Sequence, residues 1–230
     1  MRDFEKLQNQ IGIKFKDPDL LRQAVVHRSY LNENSNFSLD HNERLEFLGD
    51  AVLELVVTEH LYNNYPNPEG ELTNWRSSLV NSNMLSEKSS QLGLNDYLYL
   101  SRGESKDIGK AREIILANAF EALIGAIYLD QGYTIAQQFI MKHIVVELPR
   151  ILENNLYIDP KSKLQEMIQE KLAVTPSYKV LEEWGPDHDR QFKVGVFLDG
   201  KQVGEGLGSS KQQAQEVAAG QALESGVWEK

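Results

Sequence analysis

The chain has 230 residues, room for one large or two modest domains, with 41% hydrophobic and 25% charged residues as in ordinary globular proteins. It has no Cys, which excludes disulfides and thiolate metal sites; residues 122–129, the longest apolar run, are too short to cross a bilayer, and the first residues lack the apolar core of a signal peptide. A soluble, cytoplasmic protein with no membrane partner is expected, and its net charge of −10, taken alone, argues against a polyanionic partner.

The first part of the chain reads as all helix. Residues 3–11 are amphipathic through Phe4, Leu7 and Ile11. Asp17-Pro18 is an N-cap followed by Pro at the first helical position. The helix it opens carries Leu20, Leu21, Ala24 and Val25 and ends in His27-Arg-Ser-Tyr30. His27 reads as a packed hydrogen-bonder rather than a catalytic base. Residues 32–41 are polar and read as a loop. The next helix runs to about Tyr62, with an apolar stripe of Leu45, Leu48, Val52 and Leu55. Glu43, Glu46 and Asp50 fall at i, i+3 and i+7 and share one strip of it. Such like-charge neighbours cost a few tenths of a kcal/mol per pair unless a cation sits between them. Gly49 adds a cost of up to roughly 1 kcal/mol but admits another backbone or a ligand. The helix is therefore built to hold a hard cation, or it is a solvated acidic face with Arg44 as its counter-ion.

Residues 63–70 are a turn-rich break that holds Glu69. A helical stretch begins at Leu72 and carries Leu79, Met84 and Leu85; residues 91–107 form a loop-rich connection. The helix over 111–129 places Asn118 and Glu121 at i and i+3, on one face. A carboxylate in so apolar a helix is costly to bury unpaired, so Glu121 either binds a cation or meets a buried Arg. Gly132 stops this helix and residues 135–152 supply another. The expected division is a domain over 1–152, a linker over 153–158 and a second domain over 159–228. The second reads α-β-β-β-α. A helix over 161–172 precedes a strand over 178–184. Phe192, Val194, Val196 and Leu198 alternate as a half-buried strand, Asp199-Gly200 is a hairpin turn, and Val203, Glu205 and Leu207 continue on the partner strand. Ser209 and Ser210 cap a helix with Ala214, Val217, Ala218 and Ala222 on one face.

Asn42-Glu-Arg-Leu-Glu-Phe-Leu-Gly-Asp-Ala51 resembles the signature of ribonuclease III. Leu72-Thr-Asn-Trp-Arg-Ser-Ser-Leu-Val80 resembles that family too. Lys163-Leu-Gln-Glu166, Pro176-x-Tyr178, Gly185-Pro-Asp-His188 and Ser210-Lys-x-x-Ala214 resemble a double-stranded-RNA-binding domain. Together they cover nearly the whole chain in the order of bacterial ribonuclease III. The fold implied is a mainly α nuclease domain that forms a homodimer, followed by a small α+β (α-β-β-β-α) RNA-binding domain. The activity implied is Mg²⁺-dependent hydrolysis of duplex RNA, with Mn²⁺ as a substitute and no nucleotide cofactor. It leaves 5′-phosphate and 3′-hydroxyl ends with short 3′ overhangs, as in rRNA and mRNA precursor processing.

By that resemblance Asp50 and Glu121 are the catalytic carboxylates, and Glu46, Asn118 and Glu121 the metal ligands. Glu43 and Glu69 tune the site and the dimer contact, and Phe47 packs across the subunit interface. One position departs: the family usually has Asp where this chain has Asn118. An amide oxygen still coordinates a cation but brings no full charge. Asn118 is read either as a natural variant with weaker Mg²⁺ binding or as a deliberate substitution that traps an uncut complex. A duplex-RNA-binding protein with weak or no cleavage is therefore the alternative function. Residues 156–230 hold nine Lys and Arg against twelve Asp and Glu, so the second domain is not basic overall. Duplex RNA is read mostly by shape, so a small patch suffices. Gln165, Glu166 and His188 are expected to reach minor-groove hydroxyls, and Lys211, at a helix N-terminus, a phosphate. Gln212 and Gln213 stand where many relatives have lysines, which implies weaker, salt-sensitive binding.

Overall fold

The computed structural model describes residues 2–186 and 190–226, which divide into two compact units, Met1–Tyr157 and Ile158–Lys230. The first unit is helical: α1 (Phe4–Ile11), α2 (Pro18–Ala24), α3 (Arg28–Glu33), α4 (Glu43–Asn64), α5 (Glu69–Val80), α6 (Ser82–Gln91), α7 (Lys110–Gln131), α8 (Tyr133–His143) and α9 (Leu148–Glu153). Asp17 caps α2 by accepting from the Asp19 N–H. The chain does not stay helical through His27. It leaves α2 at Ala24, bridges Val26 to Tyr99, and starts α3 with His27 as the cap, its ring nitrogen accepting from the Ser29 N–H. The helix expected over 135–152 is broken into α8 and α9 around a 3₁₀ turn, Val145–Glu147. Pro149 explains the break, because it can neither donate to the preceding turn nor avoid its carbonyl. The helix expected from Leu72 already begins at Glu69, behind Pro68.

Two long helices of 22 residues, α4 and α7, form the centre of this unit. α7 buries residues around its whole middle, from Ile115 to Ile127, so it is the core's axis. α4 turns Leu45, Gly49, Val52, Leu53, Val56, Val57 and Leu61 toward it. That face is rotated from the stripe read in the sequence: Leu55 is left 56% exposed, beside Phe47 at 81% and Tyr62 at 79%. The two helices touch backbone to backbone. A Cβ at Gly49 would lie 1.8 Å from the Glu121 carbonyl oxygen, and one at Gly125 2.2 Å from that of Leu45. Glycine at both positions is thus the condition of the crossing. The far end of α7 is tied down by Asp130, whose carboxylate accepts from the Lys16 and Asp17 N–H groups at 2.9 and 2.8 Å.

The second unit packs α10 (Pro160–Leu172) and α11 (Lys211–Ser225) on an antiparallel sheet of order β1-β2-β3, with strands Ser177–Trp184, Gln191–Leu198 and Lys201–Gly208. Leu164, Ile168, Val196, Leu198, Val203, Ala218 and Ala222 fill the space between. Asp199 and Gly200 both take positive φ, 46° and 81°, the type I′ geometry that a two-residue hairpin demands. The order α-β-β-β-α is as the sequence pattern indicates.

Candidate active site

α4 begins where the chain is anchored. The buried Asn42 donates its side-chain amide to the Ala24 carbonyl and its backbone N–H to that of Val26. Glu43 and Glu46 follow in the first turn, where the positive end of the helix dipole favours carboxylates. Because Gly49 lets α7 approach, Glu46 and Asp50 on one helix meet Asn118 and Glu121 on the other. The electrostatics record this meeting. Burial pushes the Glu121 carboxyl up to about 7, with the charges of Asp50 and Glu46 pushing the same way. The Glu46 carboxyl is raised by burial first and then by Glu43 and Asp50, while a hydrogen bond from the Asn118 side chain pulls it down.

No Lys, Arg or His among the described residues forms an ion pair with Glu46, Asp50 or Glu121. Neither the buried Arg considered for Glu121 nor a counter-ion role for Arg44 is found. Glu43 is different: it has Arg28 at 3.6 Å and His41 at 3.8 Å. Three carboxylates and an amide oxygen without a cation, one of them desolvated enough to resist ionisation, are the donor chemistry of a hard divalent ion. Among the described residues no three Asp, Glu or His side chains alone converge on one point. Mg²⁺ is commonly held by one or two carboxylates, with water and phosphate completing the shell, so an open set with an amide member fits it.

Two expected members lie apart from this cluster. Glu69, the first residue of α5, is exposed and accepts from the Thr73 hydroxyl at 3.0 Å. It lines a groove of about 650 Å³ with Thr58, Tyr62, Leu72 and Arg76. Phe47 projects from α4 into solvent. On the second unit Gln165 and Glu166 are exposed on α10. Lys211 opens α11 behind the Ser210 cap and lies 5.5 Å from the centre of the Phe192 ring. The side-chain oxygen of Gln213 accepts from the Ser209 N–H and hydroxyl. His188 falls outside the described residues. The sequence reading overlooked Gly125, the counterpart of Gly49; a glycine inside an apolar helix was the available signal.

Residues 17–148 match a family described as Ribonuclease-III-like, and residues 160–225 match the double-stranded RNA binding motif. Relatives named Ribonuclease 3 include one from Dehalococcoides mccartyi (strain CBDB1), 42% identical over 97% of this chain and 95% of its own. Another, from Lactococcus lactis subsp. lactis (strain IL1403), is 44% identical over 95% of both. A crystal structure of the nuclease domain of ribonuclease III from Campylobacter jejuni is 39% identical and superimposes with a TM-score of 0.55, covering 62% of this chain and 96% of that one. A second structure of that domain, 38% identical with a TM-score of 0.55, covers 61% of this chain and 98% of its own; it is described by flexibility in its region of dimer formation.

Proposed function

The chain belongs to the ribonuclease III family of endoribonucleases, and from that premise we propose that it cuts duplex RNA as a homodimer dependent on Mg²⁺. The observation that carries the reading is the meeting of Glu46, Asp50, Asn118 and Glu121 where α4 crosses α7, with no cation paired to the three carboxylates among the described residues. Glu46, Asn118 and Glu121 would hold the ion through oxygen atoms, with Mn²⁺ as a substitute. Bound there, Mg²⁺ supplies a nucleophilic water and relieves the leaving oxygen of charge. The exposed Asp50 orients the attacking water by accepting its hydrogen bond. Glu121 lies near enough for the charge of Asp50 to raise its carboxyl. Glu43, held by Arg28 and His41, adds negative potential behind Glu46. Products with 5′-phosphate and 3′-hydroxyl ends follow from attack of water on phosphorus with departure of the 3′ oxygen. Processing of rRNA and mRNA precursors in the cytoplasm is the corresponding role.

The second unit would capture the duplex by its shape, through Gln165, Glu166 and Lys211. Dimerisation is supported by the exposed apolar face of α4, in which Phe47, Leu55 and Tyr62 lie uncovered. The apolar groove beside Tyr62 is large enough to receive a Phe47 from another copy. One observation favours a second reading. The amide at Asn118 brings no charge to the site, so the protein would grip duplex RNA and cut it slowly. Incubation with a long RNA duplex and Mg²⁺ decides between them. Short products with 3′ overhangs support the nuclease; intact RNA in a retarded band supports the binder.

A further inference from the structure

We propose that Arg44 of one copy pairs with the partner's Glu69, and that this ion pair sets the register in which two α4 helices meet. The inference rests on the homodimer reading above. Along α4, Arg44, Phe47, Ala51, Leu55, Thr58 and Tyr62 recur at helical spacing and all are exposed. The stripe is about 27 Å long at 1.5 Å per residue. Its two ends differ. The N-terminal end carries a cation, Arg44, and one turn later the apolar projection, Phe47. The C-terminal end carries Thr58 and Tyr62, which line the groove, and Glu69 lies on the groove's rim.

An isologous contact brings the same stripe together from both copies, and antiparallel packing sets head against tail twice. With Phe47 of one copy in the groove of the other, Arg44 stands about 5–6 Å from Phe47 along the helix surface, within reach of the groove's carboxylate. The charges on the groove point the same way. Its Arg76 is already taken within its own chain, by Glu54 and the Thr58 hydroxyl at 3.0 Å each. Glu69 has the Thr73 hydroxyl but, among the described residues, no cation. Arg44 likewise has no carboxylate among the described residues. A cation and a carboxylate that have no ion-pair partner among the described residues, at opposite ends of one self-complementary face, are each other's partners under two-fold symmetry.

The pairing has a catalytic consequence. Arg44 sits between Glu43 and Glu46 in number, so the register it fixes also fixes how far apart two metal clusters lie, and with them two cuts. Arg44 and Glu69 are thus positioning residues; neither is asked to touch the scissile phosphate.

The test uses the full-length chain and the charge reversals Arg44→Glu and Glu69→Lys. Either homodimer would bear two like-charge contacts. Sedimentation equilibrium at low salt should show each weakened about tenfold or more against the wild type, with the deficit shrinking at high salt as screening sets in. An equimolar mixture of the two variants should restore the dimer, because in the heterodimer both contacts are again between opposite charges. RNA cleavage should return with it. Circular dichroism of each variant alone checks that it is folded, and the milder Arg44→Gln should give an intermediate dimer. Unchanged homodimers, or a mixture no tighter than its components, would overturn the pairing. So would loss of RNA binding by Arg44→Glu with the dimer intact, which would make Arg44 an RNA contact. A wild-type chain that sediments as a monomer at about 10 µM overturns the dimer reading itself, a result the variants alone cannot produce.

Discussion

Glu121 concentrates the chemistry of the site in one side chain. Its folded carboxyl is raised from the ordinary 4.5 to about 7, first by burial and then by Asp50 and Glu46. The raised value sets a sign. Between 4.5 and about 7 the folded chain holds a proton that the unfolded chain has lost, so stability falls as pH rises through that window. The metal-free protein should therefore lose thermal stability from pH 5 to pH 8, and Glu121→Gln should flatten that slope. Melting curves across the range in chelator measure both. The same substitution should abolish cutting while RNA binding stays nearly intact, since it removes a proposed ligand of the ion and no cation that faces RNA. Loss of binding and cutting together in a gel-shift and cleavage pair would contradict the role given to this residue.

The crossing of α4 and α7 is where the chain's elements make the site. Gly49→Ala would drive a methyl into the Glu121 carbonyl at 1.8 Å, which no rotamer relieves because the clash is with backbone. The helices must separate. The cost should reach about 3 kcal/mol, the upper part of the range for overpacked cores. Denaturant unfolding measures it, and a loss below about 1 kcal/mol would show the crossing to be slack. Much of this architecture was legible before the structure. The Asp17 cap, the hairpin at Asp199-Gly200 and the order of elements are local signals, and local signals survive folding. The acids of α4 and the Asn118–Glu121 pair could each be placed on a helix face by period alone. What period cannot show is which two faces meet; that is decided by Gly49 and Gly125, whose meaning appears only when both helices are present. Leu55 was misread for a related reason: an apolar residue at helical spacing is assigned to the chain's own core, and here it is exposed on the face of α4 that carries Phe47 and Tyr62. The break before α9 was signalled by Pro149 and overlooked among strongly apolar neighbours.

At the scale of the whole molecule the acid balance of −10 has to coexist with a polyanionic substrate. The second unit, which matches the double-stranded RNA binding motif, places one lysine, Lys211, at the start of α11. Lys211 should act as a single phosphate contact: Lys211→Ala should weaken binding to all duplexes alike and lower the slope of log affinity against log salt by about one. A loss confined to some sequences would contradict shape reading.

If Glu46, Asn118 and Glu121 surround one Mg²⁺, residue 118 gives the most direct test of that arrangement. Asn118→Asp adds a full negative charge to the set, which should bind a hard cation more tightly. The measurement is a Mg²⁺ titration of RNA cleavage and of the thermal midpoint, run on the parent and on Asn118→Asp. The variant should need less Mg²⁺ for half-maximal cutting, with a maximal rate equal or higher. Its metal-free midpoint should lie at or below the parent's, because another carboxylate joins three with no ion between them, and should rise more on adding Mg²⁺. Identical half-maximal concentrations and identical midpoint shifts in the two proteins would show that residue 118 does not touch the ion.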